Sequence, residues 1–189
     1  MRKVLAALGV LAAIPLLLAL WFVYSRYGRY QPEVDRIVAS ITADERALSL
    51  EARQVIVTLE AESVVWQVTR SLLYEIAPAR VGTLERHLRD MLWGMLLPHR
   101  FSSEELLLLY ARSMRFEDGR GVSYGARKYF GKTPAQLTAD DAIVLCVIAR
   151  SPRAYSPTLN AERFAEALSR TRRRYEERRL ANQQFAPSD

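Results

Sequence analysis

From Val4 to Tyr24 the chain carries no charged side chain. As a helix rising ~1.5 Å per residue, such a run spans ~30 Å of hydrocarbon. A cleavable leader has a shorter apolar region of ~7–15 residues and a small-residue cleavage site. Here the run ends in Leu20-Trp21-Phe22-Val23-Tyr24, and no A-x-A site follows. Residues 1–27 are therefore expected to be an uncleaved, single-pass anchor, with Pro15 tolerated inside it. Trp21, Tyr24 and Tyr27 suit the headgroup layer. Arg2 and Lys3 precede the run, and Arg26 and Arg29 follow it. The free amino terminus tips the orientation toward an internal N-terminus, with the body outside the cytoplasm.

After a stalk at 28–47, residues 48–182 make a body of roughly one domain's size. Residues 183–189 form a frayed tail. Ala, Leu, Arg and Glu dominate, and no stretch alternates with period two, so the expected fold is all-α. Ser49 is a good N-cap for a helix running to about Tyr74. A second helix is expected near Thr83 to Leu97, ended by Pro98. Ser102 with Glu105, and Thr138 with Asp141, read as capping boxes. Between them Gly119, Gly121 and Gly125 mark a loop, and a short helix stops at Gly131. The stretch Ala142 to Ala149 is apolar on all sides and too short to span a bilayer, which makes it the central core helix. A basic helix from about Ala161 to Asn182 closes the body. The lone Cys146 excludes an intrachain disulfide and is expected to be inert core.

The stretch YGARKYFGKTPAQLTADDAIVLCVIARSPRAYSPTLNAER, from Tyr124 to Arg163, carries an ordered series of matches. Ala126, Tyr129, Phe130, Gly131, Lys132, Leu137, Thr138, Ala142, Pro152, Tyr155, Pro157, Asn160, Glu162 and Arg163 fill the places of A-A-x-x-Y-F-G-K, L-T, E-A-A, P-x-x-Y-x-P and N-P-E-R. The chain thereby resembles the peptidoglycan glycosyltransferase family 51. That family includes the transglycosylase domain of penicillin-binding proteins and the monofunctional glycan polymerases. The resemblance covers roughly Leu48 to Tyr175, weakly in its first half. It implies a lysozyme-like helical domain, with Tyr129, Phe130, Leu137, Val144, Leu145, Ile148 and Tyr155 largely buried.

The well-matched half is scaffold in that family, and the half that carries chemistry departs from the pattern. Against E-D-x-x-F with a nearby His, Glu60 matches the catalytic glutamate. Ala61, Val64 and Gln67 replace the aspartate, the aromatic and the histidine. Against G-x-S-T-x-x-Q-Q-x-x-K-N, Thr83 and Leu88 survive, Arg86 and His87 replace glutamines, and Asp90 replaces a lysine. The R-K-x-x-E motif is missing between Leu92 and Ser102. Against K-x-x-I-L-E-x-Y-L-N, Leu106, Leu107 and Tyr110 are kept, while Ser103, Leu108 and Arg112 replace the lysine, glutamate and asparagine.

Glycosyl transfer needs a base for the acceptor hydroxyl and cations or amides for the departing diphosphate. Glu60 is the candidate base. On a helix its neighbours are Ile56, Val57, Ser63 and Val64, a largely apolar setting, and Glu62 is a rival in a similar one. Thr83, Arg80, Arg86, His87 and Arg112 are the candidate substrate-binding residues. Arg89 is a further cation that could offset Asp90. Neither His87 nor His99 has metal-ligand partners at a usable spacing, so no metal and no cofactor are expected. The cluster Met91 to Leu97 reads as core packing, or as a segment dipping into the outer leaflet with Trp93 at the interface. The arginines of the last helix suit lipid headgroups or solvent rather than nucleic acid.

The expected protein is thus an anchored, divergent glycosyltransferase-like domain of cell-wall glycan metabolism at the bacterial cytoplasmic membrane. It is catalytically impaired and binds glycan strands, lipid-linked precursor or a cell-wall synthase. An active polymerase and a single-glutamate glycan-cleaving transglycosylase are the alternatives.

Overall fold

The computed structural model describes residues 18, 21–61, 63–77 and 82–184, with side chains to 182. Most of the apolar run, together with Glu62, Arg80 and the tail from 185, lies outside the described residues. Among the described residues no helix is long and apolar enough to cross a membrane.

The described chain is helical throughout, with no strand beyond an isolated Arg115–Arg120 bridge. A turn at Gly28–Tyr30 leads into α1 (Gln31–Ala39) and α2 (Ala43–Arg46). Next come α3 (Leu50–Glu60), α4 (Val64–Ile76), α5 (Thr83–Arg100) and α6 (Ser103–Ser113). The chain ends with α7 (Val122–Phe130), α8 (Ala139–Arg150) and the long α9 (Ala161–Gln184). The caps follow the sequence. The Ser49 hydroxyl accepts from the Ala52 amide at 3.1 Å. Ser102 with Glu105, and Thr138 with Asp141, form reciprocal capping boxes. Thr42 with Glu45 forms another at α2. Each box satisfies amides that the first helical turn leaves unpaired.

The helix is α8 about which the fold is arranged, packing against α3, α7 and α9. It buries Ala142, Ile143, Leu145, Cys146, Val147 and Ile148, which is why its sequence shows no polar face. Gly125 lets α7 approach it, since a Cβ there would lie 2.5 Å from the Phe116 ring and 2.9 Å from Leu145. Gly131 closes α7 in the left-handed region at φ 64°, a conformation other residues rarely adopt. Of the residues expected to be buried, Leu137, Leu145 and Ile148 are. Tyr129, Phe130, Val144 and Tyr155 are only half-buried, because they lie at the edges of the α7–α8 contact and the following loop. The Ile148→Ala variant is expected to lose ~2–5 kcal/mol of stability, since Ile148 is fully buried and its loss leaves a cavity. The midpoint of thermal unfolding in detergent measures this.

Besides α7, which begins at Val122 and takes in the Gly125 expected in a loop, two helix boundaries differ from the sequence expectation. In place of the single helix expected from Ser49 to Tyr74 there are two, α3 ending at Glu60 and α4 beginning at Val64. There the Ser63 amide and hydroxyl both donate to the Glu60 carbonyl, at 2.7 and 3.1 Å, and divert it from the helical ladder. Guanidiniums of α9 take other carbonyls of that last turn. Arg178 donates to Thr58 at 3.0 Å, and Arg174 donates to Leu59 at 3.4 Å. The second difference is Pro98, which does not end α5; the helix continues to Arg100. A proline in the last turn removes a single amide donor. The buried Trp93 and Leu97 hold that turn against the body. Trp93 is therefore not at a lipid interface. It is fully buried, and its indole N–H donates to the Arg26 carbonyl at 2.8 Å.

Candidate functional site

Because α3 stops at residue 60, the Glu60 side chain sits at a helix C-terminus, the negative end of the dipole. It is also only 4% exposed. A carboxylate there requires strong compensation. Arg150, the last residue of α8, supplies it. Its Nη2 donates to Glu60 Oε1 at 2.6 Å and its Nε donates to the same oxygen at 3.1 Å. The other oxygen, Oε2, accepts from the Ser63 hydroxyl at 2.7 Å and from Gln67 Nε2 at 3.4 Å. Both oxygens are thus occupied by protein donors. The largely apolar setting expected for Glu60 on a continuous helix is replaced by an ion pair.

The neighbours of this pair register its charge. Burial, and then the nearby Glu60 carboxylate, push the Cys146 thiol up to about 12, against an opposing pull from Arg150. The Tyr110 phenol is raised for the same first reason, burial, with Cys146 and Glu60 adding to it. Arg150 itself is raised: burial works against its charge, and the Glu60 hydrogen bond and charge outweigh that. Both neighbours stay neutral at ordinary pH, so neither offers Arg150 an anion in competition with Glu60.

Beside the pair lies a cleft of about 300 Å³ between α4 and α6. Gln67 and Tyr110 form its inner wall, and Arg70, Tyr74 and Arg115 form its rim. The Arg115 guanidinium stacks over the Tyr74 ring at 4.6 Å. Arg70 makes no ion pair with the described residues. Next to the cleft Glu75 holds Arg112 at 3.5 Å and also pairs with Arg120. Arg120 in turn reaches the Ser71 hydroxyl at 2.6 Å. The cleft presents cations and one aromatic face, a lining suited to a sugar or an anionic group.

Of the residues proposed from sequence, Glu60 adjoins this cleft through Gln67, and Arg112 sits beside it, bound to Glu75. Thr83, Arg86 and His87 are exposed on the first turns of α5 and are not among the residues lining the cleft. His87 Nδ1 lies 2.7 Å from the Thr83 carbonyl of its own helix. Asp90 is 3.6 Å from Arg89, which is buried. Arg150, Arg70 and Arg115 were missed. Arg150 did leave a signal: it is the one cation of α8 and follows directly on the apolar run 142–149. Its partner, however, is 90 residues away. Among the described residues no group of three or more His, Cys, Asp or Glu side chains could hold a metal ion.

Comparison with known proteins fits this geometry. A family model described as "Transgly: Transglycosylase" matches residues 47–177. The chain is 29% identical over 97 residues to penicillin-binding protein 1A of Aquifex aeolicus, covering 51% of this chain and 13% of that protein. It is 27% identical over 127 residues to penicillin-binding protein 2D of Bacillus subtilis, covering 67% and 18%. It is 26% identical over 96 residues to penicillin-binding protein 2a of Streptococcus pneumoniae, covering 50% and 13%. The chain thus spans less than a fifth of the length of these curated relatives.

Proposed function

We propose that this chain, which belongs to the transglycosylase family, works in cell-wall glycan metabolism as a binding domain whose catalytic carboxylate is silenced. The observation that carries the reading is the saturation of Glu60 by Arg150, Ser63 and Gln67. A general base needs a lone pair directed at the proton it takes. Here each carboxylate oxygen already accepts two hydrogen bonds. The cleft meanwhile offers Arg70, Arg115 and Tyr74 to a glycan or to the diphosphate of a lipid-linked precursor. Binding therefore outlives chemistry. The single-glutamate cleavage reading needs an open groove around Glu60, and that side chain is buried.

The test is binding of a fluorescent lipid-linked disaccharide to the full chain in detergent, followed by anisotropy. Arg70→Ala combined with Arg115→Ala is expected to weaken it by about tenfold or more, as loss of charge-assisted contacts does. Binding that is absent from the natural chain, or untouched in the double variant, would remove the cleft from the argument. The alternative of an active polymerase draws on the same cations, which could hold a diphosphate in place of the missing family residues.

The membrane part of the proposal rests on the apolar run and on α5. Leu84, Leu88, Met91 and Met95 are all exposed, Met95 at 63%. At 100° per residue they fall within a narrow stripe opposite the buried Trp93. Trp93 holds the Arg26 carbonyl, just beyond the apolar run. A helix fixed to the exit of a membrane anchor has its outer stripe close to the lipid surface. Met91→Cys allows an environment-sensitive dye to be attached, since Cys146 is buried and its thiol stays protonated. In vesicles the dye at 91 is expected to shift to the blue, whereas one at Glu104→Cys, exposed on α6, should not. Equal spectra at the two positions would count against lipid contact by α5.

A further inference from the structure

The Glu60–Arg150 pair borders a second cavity that the transglycosylase reading does not use. About 230 Å³ in volume, it lies between α8 and α9. Arg150, Arg170 and Arg174 line it, together with Tyr155, Thr171 and Val147. Three arginines thus line one small space. The carboxylates that answer them lie to the side. Glu60 holds Arg150, and Glu166, a surface residue one turn away, pairs with Arg170 at 2.5 Å. Arg174 has only the Leu59 carbonyl, at 3.4 Å, and no carboxylate among the described residues. The cavity is smaller than the ~300–1,000 Å³ typical of drug-sized ligands, so its size suits a small anion. Guanidinium planes match phosphate oxygens in geometry and charge.

We propose that this cavity is a binding site for a phosphate or diphosphate group, held between Arg150, Arg170 and Arg174, and that its occupation draws Arg150 away from Glu60. The coupling follows from the position of Arg150. Arg150 stands between the two spaces: its guanidinium is bonded to a carboxylate that reaches the first cleft through Gln67, and the residue lines the second. An anion that binds better when Arg150 faces the second cavity shifts the population toward that state. The same ligand then frees a lone pair of Glu60 on the side of the first cleft, and the linkage is reciprocal. This second half rests on the reading of Glu60 as silenced by Arg150; the site itself does not.

The experiment is calorimetric titration of the full chain in zwitterionic detergent at fixed ionic strength. The probes are inorganic phosphate, pyrophosphate and the soluble lipid dihexanoylphosphatidylglycerol. Saturable binding of at least one probe is expected. Its affinity should fall by tenfold or more in Arg170→Ala and in Arg174→Ala, both at exposed positions, and hold in Arg36→Ala on α1. Saturation by pyrophosphate identifies a free phosphate source, and saturation by the lipid alone identifies a headgroup. Both support the site if the two variants abolish them. No saturable binding of any probe, or equal affinity in the variants, overturns it. The Arg150 Nε–H signal in nitrogen-edited NMR reads the coupling. It is expected to move with the same midpoint as the heat. A signal that stays fixed while the cavity saturates overturns the coupling and leaves the site standing. Glycan polymerisation by the natural chain would overturn the reading of Glu60 without altering the binding heat.

Discussion

In a gel assay with labelled lipid-linked disaccharide, the purified full chain is expected to form no glycan chains. The reason is cumulative. On the acceptor side the base is spoken for: Glu60 Oε1 accepts two N–H donors from Arg150, and Oε2 accepts from Ser63 and Gln67. On the donor side, Asp90 stands where the resemblance places a lysine, and its neighbour Arg89 is buried rather than offered to a ligand. The resemblance also leaves no place for the third motif between Leu92 and Ser102. Losing a single charge-stabilising contact costs ~100–1,000-fold in rate. Two such losses already take a typical turnover of ~10 per second to well under one per minute. The control is Glu60→Gln assayed in parallel. Chains made by the natural sequence and lost in the variant would show a working base, and Arg70 and Arg115 would then be the first candidates for the diphosphate contact. Chains made equally by both would point away from Glu60.

What was legible in the sequence is what local chemistry fixes. The boxes at Ser102 and Thr138 depend on residues three apart, and both form. The core role of α8 follows from an apolar segment too short for a membrane and too uniform for a surface. The site was less legible because its decisive contacts are long-range. Nothing near Glu60 in sequence announces Arg150, and the carbonyls that Arg174 and Arg178 reach lie more than 100 residues before them. The end of α3 at Glu60 has a local cause, since Ser63 competes for a carbonyl, but no glycine or proline nearby marks it in the sequence. It matters most, because it moves Glu60 from a helix interior to a helix end. The basic terminal helix was read as facing lipid or solvent. Its Arg174 and Arg178 instead reach the end of α3, and its outer turns remain exposed.

Arg150→Ala is expected to destabilise the fold by ~3–5 kcal/mol, since it leaves the Glu60 charge buried without its cation. For a chain of this length each kcal/mol corresponds to ~2–4 °C of melting temperature, so the midpoint should fall by roughly 6–20 °C. The Arg150 side chain is 31% exposed, so water can partly replace it, which favours the lower part of that range. A second substitution separates the two sides of the account. If the cost comes from the orphaned carboxylate, Glu60→Leu on the Arg150→Met background should recover most of it, because an apolar pair of similar volume avoids both desolvation terms. Ser63 and Gln67 lose a partner in that double variant, but both are only half-buried and water can serve them. Thermal unfolding followed by circular dichroism in detergent gives both numbers. An Arg150→Ala midpoint within a degree of the natural chain would mean that the pair contributes nothing to stability. The carboxylate would then be held no more tightly than a surface group, and the argument that Glu60 is withheld from chemistry would lose its physical basis.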